Sequence, residues 1–249
     1  MRLAVNTRIL LKDRLEGVGW FTHEVLRRLV HRRPEWDFVF FFDRPYDEGF
    51  VFGPNVRPLV VPPPARHPLL WYAWFHLTLP RALRRARPDV FLSPDGHCAP
   101  GAGIPTVMVT HDVAHAHFPE QVPPLARLYY DRLIPRCLRS ANRLITVSEF
   151  SKADLIDHYD LPPDKIAVCG NGARPGFRPL TEEEKQAVRR QYAGGREYFF
   201  YLGSVNPRKN IQRLIGAFDA FKDQSGAPVK LLIGGRFGWL TGAVRRAYE

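Results

Sequence analysis

A basic turn carries the strongest local signal for chemistry in the sequence. Residues 203–210 (Gly-Ser-Val-Asn-Pro-Arg-Lys-Asn) follow an apolar run typical of a buried strand and lead into a helical pattern. Arg208 and Lys209 are adjacent cations, and Ser204 adds a hydroxyl group. With Asn210 as a candidate helix N-cap, this setting suits a phosphate or diphosphate. An exposed basic turn without a ligand explains the same residues.

A histidine and an aspartate follow another apolar strand pattern. His111 and Asp112 come directly after residues 106–110, at the expected carboxyl edge of a parallel sheet, where open α/β folds bind ligands. A neutral imidazole there can donate to or accept from a substrate hydroxyl, and a neighbouring carboxylate can orient it or stabilise positive charge. His-Asp pairs also cap helices and tie down loops, so a structural role is the alternative.

Two further sites are candidates on weaker grounds. Gly17 and Gly19 lie between the first strand signal and the first helix, where glycines let backbone amides approach an anion. Thr22 stands where the G-x-G-x-x-G pattern requires glycine, so a plain flexible turn is equally consistent. Ser148 follows a third strand and opens a helix, which favours a role as N-cap.

The elements that must position these residues alternate between strand and helix. The patterns predict strands at 2–6, 37–42, 56–61, 89–92, 106–110, 143–147, 165–168, 198–202 and 229–233, and helices at 19–33, 69–86, 125–140, 149–158, 181–192 and 210–222. This alternation indicates right-handed βαβ units and therefore an α/β fold with a doubly wound parallel sheet.

A Gly- and Pro-rich segment at 170–179 predicts a boundary between two domains. We expect an N-terminal Rossmann-like domain at 1–172, a linker at 173–196, and the beginning of a second Rossmann-like domain at 197–249. The last span is shorter than a doubly wound domain needs to cover both faces of its sheet. The second domain is therefore expected to be incomplete.

Charge and composition limit the classes of partner. The chain has 249 residues, with 36 Lys and Arg against 25 Asp and Glu, so its formal charge is +11. This excess favours anionic partners, yet no nucleic-acid-binding module is recognisable, and we expect no specific nucleic acid. Cys98, Cys137 and Cys169 are too widely spaced for a disulfide framework or a zinc site. Without a signal-peptide pattern or a long apolar run, a cytoplasmic location is expected.

One segment combines aromatic and basic residues. Residues 66–87 hold Trp71, Tyr72, Trp74 and Phe75 together with several arginines. Such a composition suits peripheral contact with the anionic inner face of a membrane. A helix packed into the protein core explains the aromatic residues equally well.

Taken in order, these segments resemble the retaining glycosyltransferases of family 4, a mannosyltransferase-like group with the two-domain GT-B fold. The resemblance extends over almost the whole chain and rests on motifs of modest individual specificity. They are Gly17-Val18-Gly19, Val109-Thr110-His111-Asp112, Ile145-Thr146-Val147-Ser148-Glu149-Phe150-Ser151, Lys165-Ile166 with Asn171-Gly172, and Leu202-Gly203 with Pro207-Arg208-Lys209-Asn210.

The resemblance implies transfer of a sugar from a nucleotide-diphosphate donor to a glycan or lipid-linked acceptor, with retention of configuration. Lys209 and Arg208 would neutralise the donor diphosphate, and His111 would contact the transferred sugar. The backbone at Gly17 and Gly19 would approach the phosphates or the acceptor. No metal or other cofactor is required in this scheme.

Two departures from the family pattern limit the expectation. Ser204 stands where many members carry arginine. The family's two glutamates with seven-residue spacing, which bind the donor, are expected beyond Glu249, so the chain is expected to be truncated and its activity alone stays open. The alternatives are a non-catalytic Rossmann-type module for a phosphorylated ligand or partner and, less favoured, an electrostatic nucleic-acid binder.

Overall fold

The computed structural model describes residues 1–173, 176–238 and 242–248. The chain divides into two compact units, Met1–Gly172 and Ala173–Glu249. Arg174 and Pro175 of the expected linker lie outside the described residues, as do 239–241 and Glu249 of the expected second domain.

The first unit is built on a seven-stranded sheet. Its strands are β1 (Arg2–Asn6), β2 (Asp37–Phe42), β3 (Val56–Val60), β4 (Val90–Ser93), β5 (Thr106–Val109), β6 (Arg143–Thr146) and β7 (Ile166–Val168). They run in the order β3-β2-β1-β4-β5-β6-β7, and every neighbouring pair is parallel. The strand order reverses between β1 and β4, so their carboxyl ends define the point where such sheets bind ligands.

Helices cover the sheet and connect its strands. They are α1 (Gly17–Arg32), α2 (Pro68–Tyr72), α3 (Leu79–Ala86), α4 (Ala114–His117), α5 (Pro124–Ser140) and α6 (Glu149–Tyr159). The side chains of β2 show why both faces need covering. Phe38 and Phe40 pack with the α1 residue Leu26, whereas Phe41 packs with Leu79 and Leu83 of α3. The predicted doubly wound parallel sheet is therefore confirmed.

The segment between β3 and β4 differs from the single helix that the sequence predicts. A π-helical stretch, Ala73–Thr78, separates α2 from α3. Pro80 follows this stretch and has no N–H to donate to the preceding turn, which accounts for a wider turn there. The adjacent aromatic residues Trp74 and Phe75 are both fully buried in this geometry. The core-packing explanation therefore holds for these two residues.

The second unit contains two parallel strands, β8 (Tyr198–Leu202) and β9 (Lys230–Gly234). Its helices are α7 (Glu182–Ala193), α8 (Ile211–Ser225) and α9 (Gly242–Tyr248). Gly235, just past β9, has φ 147°, and a Cβ there would lie 1.8 Å from the carbonyl oxygen of Gly203. Only glycine allows the two strand ends to come this close.

Candidate active site

A buried hydrogen-bond network joins the ends of β1 and β4, where the strand order reverses. The side-chain amide of Asn6 donates to Ser93 Oγ at 3.0 Å and to Asp95 Oδ1 at 2.8 Å. In return, Asn6 Oδ1 accepts from the backbone amide of Arg8 at 3.2 Å. The network therefore holds the two strand ends together at the edge where α/β sheets bind ligands.

An ion pair forms the centre of this network. Arg8 Nε lies 2.5 Å from Asp95 Oδ2, and the two side chains are only 12% and 3% exposed. The guanidinium also donates to the carbonyl of Ala65 at 3.1 Å and lies over the ring of Phe75. Burial opposes ionisation of Asp95, but Arg8, His97 and Asn6 outweigh it and hold the pKa of Asp95 well below its usual range.

Sequence reasoning missed this pair. Arg8 and Asp95 are 87 positions apart, so no local spacing connects them. The one signal available was their placement after two predicted strands, which puts both at the carboxyl edge of a parallel sheet. That placement does not tell which charged residues at the edge pair with one another.

His111 lies next to this network and is half-buried. Its Nε2 is 2.9 Å from the carbonyl oxygen of Pro94, the residue before Asp95. The rings of His111 and of Phe21 in α1 pack edge to face, with their centroids 4.9 Å apart. The structure therefore brings the predicted histidine close to the first turns of α1, the element that carries the predicted glycines.

Asp112 is exposed and serves the local backbone. Its Oδ1 accepts from the amide of Ala114 at 3.1 Å, where α4 begins. This is the loop-fixing role that a His-Asp pair also suits. The structure therefore supplies a structural reason for Asp112, and its catalytic role stays a prediction.

Gly17 and Gly19 lie inside the first turn of α1, because the helix begins at Gly17 and not after the glycines. A Cβ on Gly19 would lie 3.1 Å from Leu15 Cδ2, so packing explains this glycine, while Gly17 faces open space. In the described part of the chain, the amides of Gly17, Val18 and Gly19 have no hydrogen-bond acceptor. Uncapped amides at the start of a long helix are donors suited to an anion.

Ser148 caps α6, as the sequence predicts. Its hydroxyl accepts from the backbone amide of Ser151 at 3.1 Å, and its own backbone is extended. The same residue pair ties α6 to the candidate site, since Ser151 Oγ donates to the carbonyl of His111 at 3.3 Å.

We expect Ser148→Ala to lower the free energy of unfolding by about 1 kcal/mol, the usual effect of losing an N-cap. Urea denaturation followed by circular dichroism measures this change. Ser148→Asp retains a capping acceptor and serves as the matched control. An unchanged midpoint for Ser148→Ala would show that the cap contributes nothing.

In the second unit, the predicted basic turn forms a short 3₁₀ helix, Pro207–Lys209, between β8 and α8. Arg208 and Lys209 are exposed, and neither side chain has an ion-pair partner among the described residues. Ser204 is half-buried, and its Oγ accepts from the side-chain amide of Asn206 at 3.3 Å. The two cations are therefore available to an anionic ligand.

The prediction that Asn210 caps α8 is wrong. Its backbone is left-handed, with φ 52°, and within the described chain its side chain makes no capping hydrogen bond. An N-cap side chain reaches the helix amides from an extended backbone, which Asn210 does not have. The start of α8 thus lies beside two free cations without a side-chain cap.

A second loop, which sequence reasoning missed, runs beside the basic turn. The amide of Val205 donates to the carbonyl of Arg236 at 2.9 Å, and the amide of Gly238 donates to the carbonyl of Val205 at 2.8 Å. The cluster of glycines at 234–238 was the available signal. These bonds hold the backbone of the Ser204 loop from the side of β9.

The described residues set two further limits. No helix among them is long and apolar enough to cross a membrane. Likewise, the described part of the chain contains no group of three His, Cys, Asp or Glu side chains placed to hold a metal ion.

The fold is that of GT-B glycosyltransferases, with Rossmann-like α/β units. Anabaena HepE, solved with UDP and glucose, is similar over 100% of this chain and 65% of its own, with a TM-score of 0.65 and 14% identity. The lipopolysaccharide outer core galactosyltransferase WaaB, solved in its apo form, is similar over 100% of this chain and 65% of its own, with a TM-score of 0.54 and 14% identity.

The family follows from the sequence comparison. Residues 15–176 match Glycosyltransferase Family 4, and the chain belongs to that family. It is 28% identical over 179 residues to O-antigen chain mannosyltransferase B from Escherichia coli, a match that covers 70% of this chain. The chain spans 46% of the length of that relative.

Proposed function

We propose that this chain transfers a hexosyl group from a nucleotide-diphosphate sugar to a glycan or lipid-linked acceptor with retention of configuration, without a metal ion. The observation that carries the proposal is the basic turn of the second unit. Arg208 and Lys209 are exposed and lack ion-pair partners among the described residues, next to the uncapped start of α8. A diphosphate is the ligand that two free cations and free helix amides suit best.

The comparisons support the class of substrate. HepE was solved with UDP and glucose, and the E. coli relative is a mannosyltransferase of an O-antigen chain. By analogy with these two proteins, we propose a nucleotide-sugar donor and a glycan acceptor for this chain. A cytoplasmic site of action is part of the same proposal, because the nucleotide-sugar donor and the inner face of the membrane would both be accessible there.

Each candidate residue has its own role in the proposed transfer. Lys209 and Arg208 stabilise the negative charge that develops on the leaving nucleotide, an electrostatic contribution that grows in the transition state. His111 contacts the transferred sugar, and the free amides at Gly17 and Gly19 bind an anionic group of donor or acceptor. Asp112 supports this arrangement by fixing the loop that follows His111.

Isothermal calorimetry of the purified chain against UDP and GDP tests the proposal, with inorganic phosphate as the control for simple charge attraction. We expect saturable binding of one nucleotide at physiological salt and no saturable binding of phosphate. The preferred nucleotide identifies the donor base. Failure of both nucleotides to bind would contradict the proposal for this chain.

We also propose peripheral membrane contact through the face made by α2, the π-helical stretch and α3. Leu69, Tyr72 and Leu77 are 63%, 47% and 42% exposed on this face. Five arginines and one alanine line a surface cavity of about 590 Å³. They are Arg2, Arg81, Arg84, Arg85, Ala86 and Arg87. Exposed apolar side chains beside clustered arginines suit a membrane with anionic lipids.

Removal of two of these arginines tests the contact. Each basic residue near an anionic surface contributes about 1 kcal/mol, so Arg81→Ala/Arg85→Ala should weaken binding to anionic vesicles about 30-fold. Arg32→Ala/Arg190→Ala removes two exposed arginines, one from α1 and one from α7, and is the matched control. Sedimentation with anionic and neutral vesicles measures the effect. Equal losses in both variants would show only a general charge effect.

A further inference from the structure

The hydrogen bond between His111 and Pro94 defines which ring nitrogen carries the proton. A backbone carbonyl oxygen accepts hydrogen bonds and cannot donate them, so Nε2 of His111 must be the donor across the 2.9 Å contact. The other ring nitrogen, Nδ1, has no partner among the residues that the structure describes. In the neutral ring, Nδ1 therefore presents a lone pair that can accept a hydrogen bond.

The position of the Pro94 carbonyl depends on the residues around it. Ser93 accepts from Asn6 at 3.0 Å on one side, and on the other side Asp95 is held by Arg8 at 2.5 Å. The same turn is tied to β5, the strand that leads to His111, because the amide of Gly96 donates to the carbonyl of Val109 at 2.9 Å. A buried turn held at three points leaves its carbonyl little freedom to move.

We propose that the buried Arg8–Asp95 pair positions the Pro94 carbonyl so that the neutral ring of His111 takes the Nε2–H tautomer. Nδ1 then accepts a hydrogen bond from a hydroxyl group of the transferred sugar. Arg8 and Asp95 are positioning residues here, since they act through the turn and not on substrate. This inference rests on the proposed function only for the identity of the hydroxyl-bearing ligand.

The proposed arrangement makes His111 selective for hydrogen-bond donors. An Nδ1 lone pair binds a hydroxyl group that donates, whereas the opposite tautomer would present an N–H to a group that accepts. A sugar with fluorine or hydrogen in place of that hydroxyl loses the contact. The turn at Pro94 therefore determines which groups of a sugar His111 recognises.

Nuclear magnetic resonance of the full chain labelled with ¹⁵N-histidine tests the tautomer without any ligand. The spectrum of His111→Gln identifies the resonances of His111 among the nine histidines. At neutral pH we expect the Nε2–H form to exceed the Nδ1–H form about tenfold, the ratio that one ordinary hydrogen bond supports. Comparable amounts of both tautomers, or a predominant Nδ1–H form, would overturn the inference.

Asp95→Asn tests the role of the ion pair, and Asp131→Asn is the matched control, since Asp131 is exposed on α5 and pairs only loosely with Arg127. We expect the Nδ1–H form of His111 to rise about threefold in Asp95→Asn, from the loss of part of one hydrogen bond. The control should leave it unchanged. A folded Asp95→Asn protein with the tautomer ratio of the wild type would overturn the positioning role.

Two measurements keep the result interpretable. If Asp95→Asn does not fold, Asn6→Ala loosens the same turn from the side of Ser93 and keeps both charges of the pair. Calorimetry with UDP and GDP on the same samples reports the donor site separately. Nucleotide binding with mixed tautomers contradicts this inference alone, whereas a single tautomer without nucleotide binding contradicts the proposed function alone.

Discussion

Replacement of Asp95 by alanine is expected to lower the free energy of unfolding of the first unit by about 3–5 kcal/mol. The change leaves Arg8 buried without its carboxylate, with the carbonyl of Ala65, Nδ1 of His97 and the ring of Phe75 beside the charge. A buried charge that loses its counterion costs far more than the pair itself contributes. Urea denaturation followed by tryptophan fluorescence measures the loss, since Trp20, Trp36, Trp71 and Trp74 belong to this unit.

Asp131→Ala is the control for this variant. Asp131 lies 3.5 Å from Arg127 on α5, and about half of each side chain is exposed. Exposed pairs of this kind contribute about 0–1 kcal/mol. A loss for Asp95→Ala no larger than that of the control would show that the Arg8–Asp95 pair does not stabilise the fold.

The same pair predicts how stability depends on pH. The pKa of Asp95 is held below its usual range in the folded state, so the folded protein binds this proton less readily than the unfolded chain. The contribution of Asp95 is therefore complete above the unfolded value of about 3.9 and is lost as the pH falls below it. Between about pH 5 and 3, the free energy of unfolding should fall less in Asp95→Asn than in the wild type. This range is set by the unfolded value of about 3.9.

Lys209→Ala is expected to weaken binding of the preferred nucleoside diphosphate by about 1.5–3 kcal/mol, the usual contribution of a hydrogen bond to a charged group. This loss corresponds to about 10- to 150-fold in the dissociation constant. Lys209 is exposed and has no ion-pair partner in the described chain, so its removal breaks no ion pair there. Calorimetry with UDP and GDP measures the change.

Arg190→Ala provides the matched control, because Arg190 is an exposed cation of α7 in the same unit. Both variants lower the net charge by one, so a general electrostatic effect would weaken binding equally in the two. We expect the loss in Lys209→Ala alone. Unchanged binding in Lys209→Ala would remove this residue from the donor site.

Local patterns in the sequence were sufficient for most of the secondary structure. The bounds of β1 and β2 agree with the predicted strands at 2–6 and 37–42, because continuous apolar runs of this length suit strands buried on both faces. The Ser148 cap followed from its position between a strand and a helix. These features depend on residues close together in the chain, where a pattern carries enough information.

Two predictions failed, one because of core packing and one because of a local turn. The π-helical stretch Ala73–Thr78 depends on where Trp74 and Phe75 meet the core, which a helical pattern at 69–86 does not specify. The prediction that Asn210 caps α8 failed because the backbone conformation of Asn210 follows from the turn before it. In both cases the local sequence allows more than one conformation, and the folded structure selects among them.

The candidate site divides in the same way. Residue types and their order along the chain were enough to predict His111, Lys209 and the glycines at the start of α1 as candidate site residues, and their roles toward a nucleotide sugar stay predictions. The Arg8–Asp95 pair and the carbonyl that orients His111 emerged only from the folded chain. Charge pairing and hydrogen-bond direction depend on distances of a few ångströms between residues that the sheet topology brings together, and linear spacing does not encode them.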